Sequence, residues 1–166
     1  MIWQAQGMDL TPREIDLLRR CADLAETALD DGDEPFGSLL VSPEGDVLFE
    51  DRNRIAGGDR TRHPEFAIAR WAAANLSSGT RAHCTVYTSG EHCPMCAAAH
   101  AWVGLGPIVY AVSSAQLGSW LQEWGVAPPP VATLPVNDVA PGIPVRGPAP
   151  DLSDRMRWLH HRHHGK

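Results

Sequence analysis

Two short runs of this sequence carry side chains that bind transition metals. The run from His63 to Glu65 supplies an imidazole and, two residues later, a carboxylate, and the run from Cys93 to Cys96 supplies two thiols three residues apart. His63, Cys93 and Cys96 are ligands of the types that zinc prefers, and Glu65 is left over. A structural zinc site is closed by four protein ligands, whereas a catalytic site keeps one position for water. The sequence therefore predicts zinc-assisted hydrolysis.

Each of the two runs follows a loop or a strand and opens a predicted helix. The N–H groups and the dipole at a helix start lower the pKa of a cysteine toward the thiolate that zinc requires. Water in the fourth position of such a site has its pKa lowered to about 7. Glu65 can then take a proton from this water and pass it to the substrate.

Each run also has another interpretation when it is taken alone. C-x-x-C is the pattern of a redox pair, although that pair usually lies beside a βαβ start. It is also half of a closed structural zinc site, for which His83 or His92 would supply the fourth ligand. The two runs together favour catalysis over both alternatives. The other two cysteines, Cys21 and Cys84, are expected in the core.

The hydrophobic pattern predicts alternating helices and strands up to residue 124. Thr11 and Glu14 form a capping box around Pro12, so a helix begins there and ends near Gly32. This order implies an α/β fold, one sheet with helices on both faces, an antiparallel hairpin first and parallel strands later. The further predicted helices cover residues 64–75, 93–103 and 114–124, and the strands cover residues 36–41, 47–50, 85–89 and 108–112.

Beyond Gly125 the regular pattern ends. Eight of the 14 prolines fall between Pro128 and Pro150, and proline is excluded from helix interiors and central strands. We expect an irregular arm over residues 125–150, with one edge strand near residues 131–136, followed by a short helix over residues 151–164. The whole chain, residues 1–166, is interpreted as one domain.

The composition suits a domain of ordinary size. The chain has 166 residues, of which 43% are hydrophobic, and no stretch approaches the roughly 20 apolar residues of a membrane helix. The first residues lack the basic flank and apolar run of a signal peptide. Two of the four cysteines lie in C-x-x-C, so we expect reduced thiols in the cytoplasm.

The two runs and their surroundings resemble the cytidine deaminase-like superfamily, whose signature is H-x-E followed by P-C-x-x-C. Within it, the sequence is most similar to the branch of guanine deaminases and tRNA adenosine deaminases. The likeness extends from about Leu10 to Val112. It implies a three-layer α/β/α fold with a five-stranded mixed sheet, bound Zn²⁺ and, commonly, a homodimer. The residues that carry it, besides the H-x-E pattern, are Pro35-Phe36-Gly37, Asn53 and Thr88-Ser89-x-Glu91-x-Cys93-Pro94-Met95-Cys96.

The resemblance also implies residues that contact the substrate. Asn53 matches an asparagine that hydrogen-bonds the substrate ring, and Phe36 matches a phenylalanine that lies against the base. Trp102 matches an aromatic residue on the helix after the second cysteine. Glu123 lies where guanine deaminase-like enzymes use an acid to accept hydrogen bonds from the ring. Core packing is the alternative for Phe36 and Trp102, and a solvated helix position is the alternative for Glu123.

Two residues depart from the family pattern. Pro64 stands where alanine is usual, and proline is tolerated in a first helical turn. His92 stands before Cys93, where proline is usual, and it can contact substrate or face solvent. Residues 160–164, four of them histidine, can bind metal or RNA, but we expect a solvated, unstructured end there.

We therefore expect a zinc-dependent deaminase that acts on a free nucleobase or a related heterocycle. Guanine is the first candidate, and cytosine, isocytosine or triazine analogues follow. The alternatives are a tRNA adenosine deaminase and a non-catalytic module stabilised by structural zinc. The net charge is -6, with 14 basic against 20 acidic residues and no basic cluster near the motifs. This disfavours nucleic acid, whose binding depends on basic groups at phosphates.

Overall fold

The computed structural model describes residues 9–165. Residues 1–8, on which the expected lack of an export signal rests, lie outside the described residues. None of the helices within residues 9–165 has both the length and the apolar character needed to span a bilayer. The helices are α1 (Pro12–Asp30), α2 (Pro64–Asn75), α3 (Ser78–Arg81), α4 (Pro94–Trp102), α5 (Ser114–Glu123), α6 (Val136–Val139) and α7 (Pro150–His163), and the strands are β1 (Gly37–Val41), β2 (Val47–Arg52), β3 (Thr85–Gly90), β4 (Ile108–Val112) and β5 (Val145–Arg146).

Five strands form one mixed sheet in the order β2-β1-β3-β4-β5. β1 runs antiparallel to both β2 and β3, whereas β4 runs parallel to β3, and β5 runs parallel to β4. The predicted hairpin and the predicted mixed sheet are therefore confirmed. Because β1 and β3 are antiparallel, the start of β1 meets the end of β3, and Ser38 pairs with Thr88.

Helices cover both faces of this sheet. On one face, α1 and α7 pack with Leu39 and Val109 into one hydrophobic cluster. On the other face, α2 packs with Leu40 and Val86 into a second cluster. Neighbouring residues of a strand point to opposite faces, so Leu39 and Leu40 of β1 enter different clusters. All of β1 is buried, as expected of a strand covered on both faces, and the three-layer arrangement is confirmed.

The start of α1 follows the predicted capping box. The backbone N–H of Glu14 donates to Oγ1 of Thr11 at 3.2 Å, and the backbone N–H of Thr11 donates to the Glu14 carboxylate at 2.9 Å. After α1 the chain returns so closely that a Cβ on Gly37 would lie 2.4 Å from Cβ of Leu24. Only glycine allows β1 to begin this close to α1, and this contact sets the position of Phe36, immediately before it.

The proline-rich region differs from the sequence prediction. The expected edge strand near residues 131–136 is wrong, because those residues form an irregular stretch and the start of α6. The backbone N–H of Val136 donates to Oε2 of Glu91 at 2.8 Å and so does not join the sheet. The fifth strand is instead the two-residue β5, which pairs with Ile108 and Val109 of β4.

The predicted C-terminal helix is present as α7, but its end is not the solvated segment that we expect from the sequence. His160 is 3% exposed, and its ring packs edge-on against Phe36 with the ring centroids 5.1 Å apart. Arg155 forms ion pairs with Asp23 and Glu26 of α1 at 2.7 and 2.8 Å. These contacts hold α7 along α1, so that its last turns reach the start of β1.

Candidate active site and metal centre

α2 brings His63 and Glu65 to the edge of the sheet. His63 is the N-cap residue of α2, and Pro64 occupies the first helical position. Proline suits that position because its missing N–H has no partner there and its fixed φ matches the helix. The departure from alanine at Pro64 is therefore compatible with the site.

α4 brings both cysteines to the same edge. Cys93 is the N-cap residue of α4, and Cys96 lies in its first turn. Residues three apart share one face of a helix, so both sulfur atoms can approach His63. The prediction that each ligand run opens a helix is confirmed.

The ligand atoms have the spacing of a tetrahedral zinc site. Nδ1 of His63 lies 3.6 Å from Sγ of Cys93 and 3.6 Å from Sγ of Cys96, and all three atoms lie within 4.8 Å of one another. Zinc bonds of about 2.3 Å to sulfur and about 2.0–2.1 Å to nitrogen, at the tetrahedral angle, place N and S about 3.6 Å apart. We call these three residues the ligand group, and their donor atoms fit zinc.

Neither alternative fourth ligand belongs to the ligand group. His83 lies before the start of β3, and its Nδ1 is 2.9 Å from a backbone carbonyl of α3. His92 packs its ring edge-on against His100, with the centroids 5.3 Å apart. Among residues 9–165, no further His, Cys, Asp or Glu side chain joins the group. Three ligands are the count of a catalytic zinc site rather than of a closed structural one.

The electrostatics of the ligand group favour a thiolate at Cys93. Its pKa is lowered to about 4, first because the Cys96 thiol donates a hydrogen bond to its sulfur and then because His63 does so. The pKa of His63 is raised, chiefly by its hydrogen bond with Cys93. Thiolate and neutral imidazole are the forms that bind metal, so metal binding releases the protons that this group shares.

Glu65 lies in the first turn of α2, beside the ligand group but not in it. The side chain is 5% exposed, and burial raises the pKa of its carboxyl group. Oε1 of Glu65 accepts hydrogen bonds from Oγ1 of Thr88 at 2.9 Å and from Oγ of Ser38 at 3.3 Å. A raised pKa makes the carboxyl group a better proton acceptor than an exposed glutamate.

Asn53 carries a buried donor that has no partner. It is 1% exposed, its Oδ1 accepts a hydrogen bond from the backbone N–H of Ile55 at 3.1 Å, and its Nδ2 has no hydrogen-bond partner. The bond to Oδ1 fixes the orientation of the amide. An unpaired buried donor costs about 1–3 kcal/mol, which a bound molecule with a suitable acceptor would offset.

Phe36 lies next to Asn53 and beside the end of β3. Its carbonyl accepts a hydrogen bond from the backbone N–H of Asn53 at 3.0 Å. A Cβ on Gly90 would lie 3.0 Å from Cε1 of Phe36, and Gly90 precedes Cys93 by three residues. The structure thus brings Phe36 and Asn53 to the sheet edge that carries the ligand group.

Comparison with known proteins decides the family. Residues 12–112 match the family model described as the cytidine and deoxycytidylate deaminase zinc-binding region. The chain belongs to this deaminase family. Zinc is the family's metal, and the ligand group is placed to hold it.

Three relatives illustrate the range of this deaminase family. The chain is 32% identical over 124 residues to a probable cytosine deaminase of Schizosaccharomyces pombe. This match covers 73% of this chain and 74% of that protein. It is 33% identical over 96 residues to guanine deaminase of Bacillus subtilis, and this match covers 57% of this chain and 61% of that protein. A solved guanine deaminase of Nitrosomonas europaea has the same fold, with a TM-score of 0.66 at 19% identity, and covers 100% of both chains.

The structure places Trp102 away from the ligand group and Glu123 in an exposed position. Trp102 ends α4, about 13 Å along the helix axis from Cys93 at a rise of about 1.5 Å per residue, and it is 88% exposed. The alternative interpretation, in which Trp102 packs in the core, is therefore wrong. Glu123 ends α5, where it forms an exposed ion pair with Arg157 at 2.9 Å, as in the alternative of a solvated helix position.

His92 does not face solvent, so that expectation is wrong. It is 1% exposed, and neither ring nitrogen has a hydrogen-bond partner. Burial keeps its pKa well below the usual value, so the ring is neutral. It points toward His100, whose Nε2 lies 2.7 Å from the carbonyl oxygen of Gly106.

A groove of about 430 Å³ adjoins His63 on α2. Its lining includes Arg54, Arg62 and Arg70, so the expectation that no basic cluster lies near the motifs is wrong. The loop between β2 and α2 brings these arginines together although they are spread along the sequence. Two aspartates also line the groove, and one of them, Asp51, pairs with Arg54 at 3.0 Å.

Proposed function

We propose that this protein is a zinc-dependent hydrolytic deaminase that converts an amino group on a free nucleobase, or on a related heterocycle, to a carbonyl and releases ammonia. Guanine is the first candidate, followed by cytosine, isocytosine and triazine analogues. The observation that carries the proposal is a three-residue ligand group with one buried, unligated carboxyl group, Glu65, beside it.

Zinc bound at such a site supplies a water whose pKa is lowered to about 7. Glu65 supplies the proton transfers. Its carboxylate takes a proton from the attacking water and gives it to the ring nitrogen beside the attacked carbon. It then takes the proton of the newly added hydroxyl group and gives it to the departing amino group, so that the carbonyl forms as ammonia leaves. The raised pKa of Glu65 supports this alternation, because burial makes the protonated form easier to reach than it is for an exposed glutamate.

Asn53 and Phe36 support a planar heterocycle as the substrate. The unpaired Nδ2 of Asn53 fits an acceptor on the substrate, such as a ring carbonyl or a ring nitrogen. The half-buried ring of Phe36 offers an apolar surface for a base beside that donor. The S. pombe and B. subtilis relatives are named for free bases, cytosine and guanine, which agrees with this substrate class.

A tRNA adenosine deaminase remains the second candidate, because Arg54, Arg62 and Arg70 line the groove beside His63. Against it, the other arginines that RNA would need, on α7, are engaged within the chain: Arg157 pairs with Glu123 at 2.9 Å, and Arg155 pairs with α1. A non-catalytic zinc module is disfavoured because the described residues supply no fourth ligand.

The deciding experiment measures ammonia release from guanine, cytosine, isocytosine, triazines, the corresponding nucleosides and a tRNA anticodon stem-loop. We expect turnover of at least one free base by the zinc-loaded protein. Release from no free base, together with conversion of the stem-loop, would favour the second candidate. Release from no compound would favour the zinc module.

We also propose a homodimer that works in a reducing compartment, the cytoplasm. The thiols of Cys93 and Cys96 must be reduced to bind metal, and all four cysteines are free. Light scattering after gel filtration measures the oligomeric state directly, and a monomeric mass would contradict the dimer.

A further inference from the structure

Two buried hydroxyl groups converge on Glu65 from the sheet. Ser38 lies in β1 and Thr88 lies in β3, and the two residues are direct partners across the antiparallel pair of strands. Both are 0% exposed. Their side chains lie on the same face of the sheet as α2, which carries Glu65. The hydroxyl groups therefore belong to the sheet, whereas the carboxyl group belongs to a helix.

The two hydroxyl groups contact each other and the same carboxyl oxygen of Glu65. Oγ of Ser38 lies 2.9 Å from Oγ1 of Thr88, and Oγ1 of Thr88 lies 2.9 Å from Oε1 of Glu65. Oγ of Ser38 also reaches Oε1, at the longer distance of 3.3 Å. Both hydroxyl groups thus reach Oε1 of Glu65, and neither of them donates to Oε2.

The number of hydroxyl protons limits which hydrogen bonds of this cluster form at the same time. Each hydroxyl group has one proton to donate, and Thr88 has two acceptors in reach, Oε1 of Glu65 and the carbonyl oxygen of Gly90, each at 2.9 Å. When Thr88 donates to Glu65, Ser38 satisfies the oxygen of Thr88. When Thr88 turns to Gly90, its own oxygen can accept from Glu65. The cluster can therefore keep Oε1 in place with either partner as the donor.

We propose that Thr88, supported by Ser38, is a positioning residue for the proposed deamination. Thr88 anchors Oε1 of Glu65 to the sheet and leaves Oε2 as the oxygen that exchanges protons with water and substrate. This inference rests on the proposed function. A glutamate side chain rotates about three bonds, and a displacement of about 1 Å at a reacting group costs on the order of 100-fold in rate. A fixed oxygen removes that freedom.

The test compares Thr88→Val, which has nearly the same shape without the hydroxyl group, with Thr88→Ser, which keeps the hydroxyl group. We expect Thr88→Val to lower kcat by about 10- to 100-fold, with KM changed less than about threefold and zinc content unchanged. Thr88→Ser should restore kcat to within a few-fold of wild type. Ser38→Ala should have a smaller effect than Thr88→Val, because its bond to Oε1 is longer. The matched control is Thr85→Val, at the other end of β3.

A second measurement does not depend on turnover. Thermal unfolding of Thr88→Val, Glu65→Met and the double variant forms a mutant cycle. We expect Thr88→Val to lower Tm in the wild-type background and to lower it clearly less in the Glu65→Met background. Wild-type kcat in Thr88→Val, or an equal loss in Thr88→Ser, or additive Tm changes would each overturn the proposal. If wild type converts no compound, the proposed function fails, and the cycle still tests the contact.

Discussion

Cys93 and Cys96 occupy one helical turn but different environments. Cys93 is half-buried at the N-cap, and its pKa is lowered to about 4 by hydrogen bonds from Cys96 and His63. Cys96 is completely buried, and its pKa is raised because it donates to Cys93 and because it is buried. Cys93 is thus ready to bind metal, whereas Cys96 reaches its binding form when the incoming ion displaces its proton to solvent. Both sulfurs are needed for a tetrahedral site.

We predict about one zinc ion per chain, the stoichiometry of a single tetrahedral site. Cys93→Ala and Cys96→Ala should each lose the metal, and Cys96→Ala should also lower Tm, because it empties a buried position. Elemental analysis of dialysed protein measures the zinc content. Cys21→Ala, a buried cysteine outside the ligand group, is the control and should keep zinc. Full zinc retention in both ligand variants would refute the assignment.

Glu65→Ala should keep zinc and the fold but lose nearly all turnover. General acid–base steps are each worth about 10²–10⁴-fold, and in the proposed mechanism Glu65 serves several of them. Steady-state ammonia release gives the rate, and circular dichroism with metal analysis checks fold and zinc. Glu50→Ala, on the surface of β2, is the control. Activity of Glu65→Ala within a few-fold of wild type would mean that another group moves the protons.

The sequence predicts the ligands well and their supporting residues poorly, for a physical reason. The ligands lie in short runs at helix starts, where spacing along the chain sets spacing in space. Ser38 and Thr88 are 50 residues apart, and they meet Glu65 only through the register of β1 and β3. The one local signal is that Ser38 is polar within the apolar run of β1. The family resemblance suggests Trp102 as a substrate contact, but the structure places it at the exposed end of α4, nine residues after Cys93.

The helices and strands also divide into those that local sequence predicts and those that depend on tertiary contacts. Helices with strong periodicity, such as α1, are predictable because their caps and apolar faces are local features. β5 is not predictable, because its two residues pair with β4 only after the proline-rich region has folded back. The path of α7 is also a tertiary outcome: ion pairs with α1 and the packing of His160 on Phe36 direct it to the site edge. α7 therefore links the C-terminus to the site.

This packing predicts acid sensitivity from His160. Burial, with help from His164 and His163, lowers the pKa of His160 to about 3. In the unfolded chain the group titrates near its ordinary value of about 6.5, so below that pH the unfolded state binds a proton that the folded state does not. Stability contributed by neutral His160 is therefore complete above pH 6.5 and declines as the pH falls from about 6.5 toward about 3.

The measurement is the free energy of unfolding in urea at pH 7.5 and pH 5, for wild type and for His160→Met. At about 1.4 kcal/mol per pH unit, the contribution of His160 to the loss at pH 5 is about 2 kcal/mol. The loss in His160→Met should be smaller by about this amount, whereas zinc release at low pH affects both proteins alike. Equal losses in the two proteins would contradict the prediction.

At the scale of the whole molecule, the question is whether the surface suits a small substrate or an RNA. The net charge is -6, and the arginines of α7 are paired with acids of α1 and α5. The groove beside His63 gathers three arginines, but two aspartates line it as well. Such a mixed surface lacks the strong positive field that holds a phosphate backbone.

We therefore predict that turnover of the best free base depends only weakly on salt, with kcat/KM changing less than about threefold between 50 and 300 mM KCl, because no phosphate contact releases counterions. Arg62→Gln combined with Arg70→Gln should leave this rate within about twofold, since a free base carries no charge for the groove to bind.

A tRNA substrate would behave differently, because each phosphate contact adds about 0.7–0.9 to the slope of log affinity against log salt. Steady-state kinetics and stem-loop binding over the same salt range separate the two cases. Stem-loop deamination that falls steeply with salt and is lost in the double arginine variant, with no ammonia from any free base, would assign the groove to RNA.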